Sequence, residues 1–149
     1  PIKREIAAGK PFLGICLGLQ LLFDGSDEGV EPGLGLISGR IRKFSKEPSI
    51  AIPHMGWNQL TLTQPQCPLW QGVADGDWVY FVHSYYAEPT DPAVNAATTT
   101  HGSQTVTAAI AQDNIMAMQY HPEKSAPAGL VMLANFVALV NAQTPVAAR

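Results

Sequence analysis

Residues 9–23 read GKPFLGICLGLQLLF, and this stretch decides the fold. The short apolar run at residues 11–15 predicts a strand buried on both faces, as in parallel sheets. The pattern G-x-C-x-G follows, centred on Cys16, and residues 17–23 predict a helix. A strand, a tight glycine-flanked turn and a helix together form a nucleophile elbow, which exposes a reactive side chain above a sheet. The sequence therefore predicts an α/β fold in which Cys16 is a candidate nucleophile.

The start of the helix after Cys16 has a chemical consequence. Free N–H groups at a helix N-terminus stabilise an anion, so we expect them to lower the pKa of the thiol. The N–H of Leu17 is expected to donate to an oxyanion that develops on an attacked carbonyl. The competing interpretation is that Cys16 is a small buried hydrophobic residue, because free cysteines are often buried and inert. The G-x-C-x-G pattern alone leaves both interpretations open.

A second candidate motif follows another predicted strand. Residues 115–120 predict a buried strand, and His121, Pro122 and Glu123 come directly after it. A nucleophilic cysteine needs a base, and Glu123 is near enough in sequence to orient the imidazole of His121 through a hydrogen bond. Because sites of open α/β sheets collect at the carboxyl ends of the strands, we expect this pair to lie near the nucleophile. The alternative is a surface histidine in a turn.

The remaining segments predict a sheet with many strands. Ile2, Ile6 and Ala7 indicate the last turns of an amphipathic helix that stops at Gly9. Further strands are predicted at residues 39–44, 57–62, 77–82, 93–101 and 104–111. The last two are expected to form a hairpin. This order predicts one domain over residues 1–149, with an open, mostly parallel sheet, flanking helices and an antiparallel β insertion.

The C-terminal segment predicts a helix. Residues 130–140 repeat apolar side chains at helical spacing, and Ser125 is a predicted N-cap. We expect residues 143–149 to be a frayed tail.

Composition argues against several classes of function. The chain has 149 residues with a net charge of −3, and 46% of its residues are apolar. No long basic run supports nucleic-acid binding. No apolar run reaches the roughly 18 residues of a membrane span, so no membrane association is expected. The two cysteines do not form a disulfide framework, and a reducing cytoplasm is the expected location.

The other histidines and the second cysteine lie outside the two motifs. They show no close ligand spacing, so no metal site is predicted. We expect His54 and His83 to be ordered hydrogen-bonding groups of a loop and the sheet, and a catalytic role is the alternative for both. We expect His101 to be solvated beside the hairpin. Cys67 lies on no motif and is interpreted as structural.

The sequence resembles the class I (triad) glutamine amidotransferases over residues 10–140. The resemblance rests first on residues 9–23 and on QYHPEKS at residues 119–125. Three further segments resemble the glutaminase subunits of imidazole glycerol phosphate synthases: GLGLISG at 33–39, PHMGWN at 53–58 and FVHSYY at 81–86. The resemblance implies that Cys16 attacks the side-chain amide of glutamine and releases ammonia, with His121 and Glu123 completing the triad.

The same resemblance implies roles for further residues. The implied substrate-binding residues are Gly14, Gln20, Ser84 and Tyr85. The implied interface with a (β/α)8-barrel synthase subunit, which uses the ammonia to form imidazole glycerol phosphate, contains Trp57, Tyr80 and Lys124. Each has a simpler alternative, since the aromatic residues can belong to the core, and Gln20 and Lys124 can be solvated. The resemblance implies no cofactor.

Relatives in this family carry further strands, and a loop with a second oxyanion donor, before the nucleophile strand. We therefore expect this chain to be an N-terminally incomplete version of the family domain. Two other functions stay open: a γ-glutamyl-hydrolase-like cysteine hydrolase without a partner, and a catalytically inert binding module.

Overall fold

The structure is a computed structural model that describes residues 1–143. Its α-helices are α1 (Ile2–Ala7), α2 (Leu17–Gln20) and α3 (Ala126–Gln143). Its strands are β1 (Phe12–Ile15), β2 (Gly25–Ser26), β3 (Gly39–Lys43), β4 (His54–Gln59), β5 (Thr61–Leu62), β6 (Trp78–His83), β7 (Tyr85–Pro89), β8 (Asn95–His101), β9 (Gln104–Gln112) and β10 (Ile115–Met118). Short 3-10 turns lie at Pro68–Trp70, Pro92–Val94 and Pro122–Lys124.

The main sheet has the strand order β1-β10-β9-β8-β5. Strands β1 and β10 pair in parallel, with Ile15 opposite Met118, and the other pairs of this sheet are antiparallel. The α/β class is confirmed, and the sheet is mixed because short turns join β8, β9 and β10, which imposes antiparallel pairing. Two smaller sheets contain β2-β3-β7 and the β4-β6 pair.

Strand β10 separates two apolar cores. Its side chains alternate between the two faces of the sheet, as the strand period of two requires. Met116 and Met118 pack into the core on the side of α3, whereas Ile115 and Ala117 pack into the core on the side of α2. The strand that ends at the candidate base is therefore fixed from both faces.

The sequence predicted most elements but not all of their bounds. The strand predicted at 57–62 begins at His54 and is interrupted at Leu60, whose N–H and C=O bond to Asp77 and Gly76. The helix predicted at 17–23 ends at Gln20. Strand β7 was not predicted, because it is defined by antiparallel pairing with the distant strand β3.

Ser125 directly precedes α3, where the N-cap was predicted, and its carbonyl accepts the N–H of Gly129 at 3.1 Å. Its hydroxyl donates to the carbonyl of His121 at 2.6 Å and accepts the N–H of Tyr80 at 2.9 Å. Ser125 thus ties the segment after β10 to β6. Gln143 is the last residue of α3, and the rest of the predicted tail, residues 144–149, lies outside the described residues.

Helix α3 qualifies the expectation of no membrane span. Within residues 1–143 it is the one helix that is long and apolar enough to cross a membrane. Length and composition are weak evidence, because a core helix of a soluble protein satisfies the same conditions. In α3, Met132 is fully buried, and Asn135 donates to the carbonyls of Leu69 and Gln71 at 2.9 and 2.8 Å. These contacts fix α3 against the turn at Pro68–Trp70.

Candidate active site

The turn at Cys16 has a strained backbone at the end of β1. Cys16 has φ 50° and ψ −106°, a conformation that residues other than glycine rarely adopt. Its N–H donates to the carbonyl of Met118 at 2.8 Å, which fixes the turn to the carboxyl end of β10. Strain of this kind costs about 1–3 kcal/mol and persists only where surrounding structure enforces it. The geometry is that of the predicted nucleophile elbow.

Gly14 allows this turn to form. A Cβ at Gly14 would lie 2.7 Å from the carbonyl oxygen of Gly18 and 3.0 Å from the Cβ of Ala117. The backbone of α2 can therefore lie directly on β1 only if this residue is glycine. Gly14 is buried beneath the turn, so packing explains it, and its predicted role in substrate binding stays a prediction.

The environment of the thiol raises its pKa. Burial raises the pKa of Cys16 most strongly, while hydrogen bonds from the Leu17 N–H and from Gln119 lower it, and the charge of Glu123 raises it further. The net direction is upward, so the expectation of a lowered pKa is wrong. Desolvation of the thiol therefore outweighs the hydrogen bond that the first residue of α2 supplies. The thiol is protonated at neutral pH and requires a base.

A hydrogen bond to Glu123 orients the imidazole ring of His121. The Nδ1–H of His121 donates to Oε1 of Glu123 at 2.8 Å, which leaves Nε2 unprotonated in the neutral ring. Burial raises the pKa of Glu123, but the hydrogen bond from His121 and the neighbouring positive charges outweigh it, and the net direction is downward. The His121 backbone N–H donates to the carbonyl of Tyr80 at 2.9 Å. The orientation predicted from the sequence is present.

The two motifs end at the same edge of the main sheet. Cys16 follows β1, and Gln119 and His121 follow β10, the parallel neighbour of β1. The Nε2 of Gln119 donates to the Sγ of Cys16 at 3.7 Å, so the segments after the two strands are in direct contact. The structure thus gathers Cys16, His121 and Glu123 at one edge.

Gln20 lies at the centre of the polar contacts beside the nucleophile. Its Nε2 donates to the carbonyl of Tyr85 at 3.2 Å and to Oε1 of Gln119 at 3.1 Å. Gln20 is half-buried, so it is not the solvated helix residue of the alternative interpretation. Ser84 lies between β6 and β7, and its carbonyl accepts the N–H of Phe44 at 3.1 Å.

A cavity of about 250 Å³ opens beside Leu17 and Gln20. The loop after α2 supplies its other wall, including the carboxylates of Glu28 and Glu31. Glu28 and Glu31 lie outside both sequence motifs and were not predicted as site residues. Their signal was two carboxylates in the loop that follows the nucleophile helix, where a polar ligand can be held.

An aromatic surface covers the outer side of the β4–β6 ribbon. Trp57 lies opposite Tyr80 in the antiparallel register, with ring centroids 6.0 Å apart in an edge-to-face arrangement. Trp57 is 48% exposed and Trp78 is 54% exposed, so Trp57 is not a core residue. Lys124 is exposed in the turn after His121.

The other histidines are more ordered than the sequence indicates. The expectation that His101 is solvated is wrong, because its ring stacks on His54 with centroids 4.1 Å apart and its Nε2 lies 2.9 Å from the carbonyl of Ala51. The hairpin between β8 and β9 brings it there. Cys67 is buried and not in a disulfide. The described part of the chain contains no group of three side chains that could hold a metal ion.

The fold matches those of solved amidotransferases. The glutaminase domain of Trypanosoma brucei CTPS, solved with bound acivicin, has a TM-score of 0.64 at 18% identity, over 91% of this chain and 63% of that chain. A glutamine amidotransferase from Thermotoga maritima has a TM-score of 0.62 at 16% identity, over 95% of this chain and 53% of that chain. At these identities the likeness establishes the fold.

Sequence comparison establishes the family. The family model for "Glutamine amidotransferase class-I" matches residues 1–140, and the chain belongs to this family. It is 62% identical over 145 residues to the imidazole glycerol phosphate synthase subunit HisH of Nostoc punctiforme, covering 97% of this chain and 69% of that protein. It is 66% identical over 137 residues to the subunit HisH of Gloeothece citriformis, covering 92% and 65%. The chain therefore spans about two thirds of the length of these relatives.

Proposed function

We propose that this chain hydrolyses the side-chain amide of glutamine to glutamate and ammonia through a cysteinyl thioester. One observation carries the proposal: the strained turn at Cys16 and the hydrogen-bonded pair His121–Glu123 lie at the carboxyl ends of two paired parallel strands. The 60–66% identity to HisH subunits supports the same reaction class.

The proposed reaction begins with proton transfer from the thiol. Because burial keeps the Cys16 thiol protonated, Nε2 of His121 accepts its proton as the sulfur attacks the amide carbon. The Leu17 N–H donates to the oxyanion of the tetrahedral intermediate. His121 then protonates the leaving nitrogen, which departs as ammonia, and a thioester remains. Water activated by His121 releases glutamate, while Glu123 holds the imidazole and stabilises its charged form.

The proposed glutamine site is the cavity beside Leu17 and Gln20. Its carboxylates, Glu28 and Glu31, suit the ammonium group of an amino acid, because a paired charge offsets desolvation. Gln20 lines the same cavity. Ser84, Tyr85 and the backbone at Gly14 lie outside its lining, and the family resemblance is what supports them as further proposed contacts.

The proposed partner is a (β/α)8-barrel synthase subunit, which forms a heterodimer with this chain in the cytoplasm. The relatives are named as subunits of imidazole glycerol phosphate synthase, and the ammonia would serve the lyase reaction that makes imidazole glycerol phosphate in histidine biosynthesis. The proposed docking surface contains Trp57, Tyr80 and Lys124. Exposed aromatic residues support this assignment, because they are enriched at the energetic centres of interfaces.

The test is ammonia release from glutamine, with and without a synthase-barrel subunit, using Cys16→Ala as the control. Release that rises with the partner and disappears in the variant is the expected result. Ammonia release at the same rate with and without the partner would favour a γ-glutamyl-hydrolase-like enzyme. No release under either condition, from a chain that folds, would favour an inert binding module.

A further inference from the structure

A line of hydrogen bonds begins inside the β4–β6 ribbon. The Nδ1 of His54 lies 3.1 Å from the Nε2 of His83, and the Nδ1 of His83 lies 2.8 Å from the carbonyl oxygen of Tyr85. At the other end, the Nδ2 of Asn58 lies 3.2 Å from the Nε2 of His54 and donates to the carbonyl of Thr100 at 2.8 Å. Three side chains from two strands thus form a line that ends at the Tyr85 carbonyl, which His83 alone of the three contacts.

The same carbonyl begins a second line that ends at the nucleophile. The oxygen of Tyr85 also accepts from the Nε2 of Gln20 at 3.2 Å. Gln20 donates its other proton to Oε1 of Gln119 at 3.1 Å, and Gln119 donates to the Sγ of Cys16 at 3.7 Å. Five side chains and one carbonyl therefore connect the ribbon to the thiol without a gap.

Only one arrangement of protons satisfies all of these contacts when both rings are neutral. A carbonyl only accepts, so His83 must carry its proton on Nδ1, and its Nε2 must accept. His54 must then donate from Nδ1 and accept the Asn58 amide at Nε2. The orientation of Asn58 is fixed independently, because its Oδ1 accepts the N–H of Gln59 at 2.8 Å.

The two rings are neutral because of where they lie. His54 is 4% exposed and His83 is 6% exposed. The pKa of His54 is lowered to about 3, by burial first and then by the charges of His83 and His101. The pKa of His83 is lowered to about 4, because burial and then the charge of His101 outweigh the hydrogen bond to the Tyr85 carbonyl, which raises it. Phe44 and Phe81 supply ring contacts around the pair.

We propose that His83, in the Nδ1–H tautomer that its contacts with Tyr85 and His54 require, is a positioning residue that holds the Tyr85 carbonyl and through it the amides of Gln20 and Gln119 against Cys16. The effect of this positioning role on catalysis rests on the proposed function. Both protons of the Gln20 amide are committed, one to Tyr85 and one to Gln119, so the amide cannot turn while the carbonyl is held. If the carbonyl is released, Gln20 and Gln119 are free to rotate, and the thiol loses a donor that stabilises its anion.

The first test examines the unmutated chain. A long-range ¹H–¹⁵N spectrum of the histidine rings at pH 7 reports which nitrogen carries the proton. We expect neutral rings with the proton on Nδ1 for both His54 and His83, the reverse of the Nε2–H tautomer that a free neutral imidazole prefers in water. A charged ring, or a proton on Nε2 of His83, would overturn the proposal.

The second test compares two amide substitutions of similar polarity in a Cys67→Ala background. His83→Asn places an amide N–H near the position of Nδ1 and can still donate to Tyr85. His83→Gln places its amide near Nε2 and cannot. The readout is the rate of Cys16 alkylation by iodoacetamide across pH, which reports the thiol pKa without requiring glutamine turnover. His101→Phe is the control, because it preserves the ring stacked on His54 and lies outside the line of bonds.

We expect His83→Gln to raise the apparent pKa of Cys16 and to slow alkylation at pH 7 by about 3- to 10-fold, since one pKa unit is tenfold in thiolate. We expect His83→Asn and His101→Phe to stay within about twofold of the parent chain, on the same scale. Equal alkylation of the Asn and Gln variants would overturn the proposal. If neither variant folds, the ring spectrum of the parent chain decides.

Glutaminase kinetics separate this proposal from the proposed function. If the parent chain releases ammonia, the Gln variant is expected to raise KM for glutamine, because Gln20 borders the cavity, and the Asn variant to restore it. If the parent chain releases none, the proposed function fails, while the alkylation comparison still supports or overturns the positioning role.

Discussion

The turn at Cys16 and the β4–β6 ribbon are built in opposite ways, although hydrogen bonds join them. At the turn, local backbone geometry sets the position of the reactive atom: φ is positive at Cys16, and Gly14 admits the backbone of Gly18. In the ribbon, cross-strand register sets the position, with His54 opposite His83 and Trp57 opposite Tyr80. The turn tolerates no added atom at Gly14. The ribbon depends instead on which nitrogen of each histidine ring carries the proton.

This difference explains why the turn at Cys16 carries the reactive atom, whereas the β4–β6 ribbon supports the residues around it. A strained turn holds its nucleophile in one place whatever the charge of its neighbours. A line of buried hydrogen bonds holds its side chains in place only while every donor has an acceptor, because an unpaired buried polar group costs free energy. The ribbon also has two unlike sides, an inner side with the histidines and an outer side with exposed aromatic rings. A change on the outer surface can thus be tested separately from one inside.

The largest expected effect is on catalysis at the turn. His121→Asn removes the base, and we expect kcat for glutamine hydrolysis to fall by about 10³-fold. Glu123→Gln should cost less, about 10- to 100-fold, because the Glu123 side chain is 51% exposed and water can partly replace its carboxylate. Steady-state ammonia release measures both. An unchanged kcat in His121→Asn would remove His121 from the proposed triad.

The second effect is on stability and distinguishes tight backbone packing from open space. Gly14→Ala would place a Cβ 2.7 Å from the Gly18 carbonyl oxygen, and we expect unfolding free energy to fall by about 3 kcal/mol or more. Gly18→Ala is the matched control, because nothing lies within 4 Å of its Cβ. Helix propensity predicts that it stabilises by up to about 1 kcal/mol. Equal urea midpoints for the two variants would contradict this account of the turn.

The third effect is a pH dependence located in the ribbon. The folded pKa values of His54 and His83 are lowered to about 3 and about 4. Below pH 6.5 the two histidines bind protons in the unfolded chain but stay neutral in the folded chain. The free energy of unfolding therefore falls as the pH decreases from 6.5 towards 4. At pH 5 we expect a loss of about 2 kcal/mol for each ring. Urea unfolding at pH 7 and pH 5 measures it.

Titration of the carboxylates does not produce the same loss of stability between pH 7 and pH 5. The pKa values of Glu5 and Glu47 lie below their usual range because of hydrogen bonds, to Lys10 first for Glu5 and to the Ser103 backbone first for Glu47. Their stabilisation is present above the unfolded pKa of 4.5 and is lost as the pH falls through the lowered folded pKa, which lies below pH 5. A stability that is flat between pH 7 and pH 5 would show that the two rings are not buried and neutral.

The smallest effect on folding belongs to the outer side of the ribbon. Trp57→Ala should change the unfolding free energy by about 1 kcal/mol or less, because the ring is half exposed and has one aromatic neighbour, Tyr80. On the proposed interface it should weaken binding of the barrel partner by about tenfold or more. Leu130→Ala, which truncates a 60% exposed residue on α3, is the control. Titration calorimetry that finds the two variants equal would exclude Trp57 from the interface.

Sequence reasoning succeeded where structure is local and failed where it depends on register. The G-x-C-x-G turn and His121–Glu123 could be predicted because strand, turn and neighbour are contiguous in the chain. The pKa of Cys16 could not, because burial depends on the distant segments that cover it. The ordered position of the His101 ring could not be predicted either, because the ring stacks on His54, which lies in a strand far away in the sequence.

Mass spectrometry tests the central claim, that Cys16 is the nucleophile, most directly. The chain is mixed with glutamine, quenched in acid within the first turnover and digested. We predict a glutamyl group attached to the peptide that contains Cys16, and none in the Cys16→Ala variant. A glutamyl group found on Cys67, or ammonia release that persists in Cys16→Ala, would contradict the account.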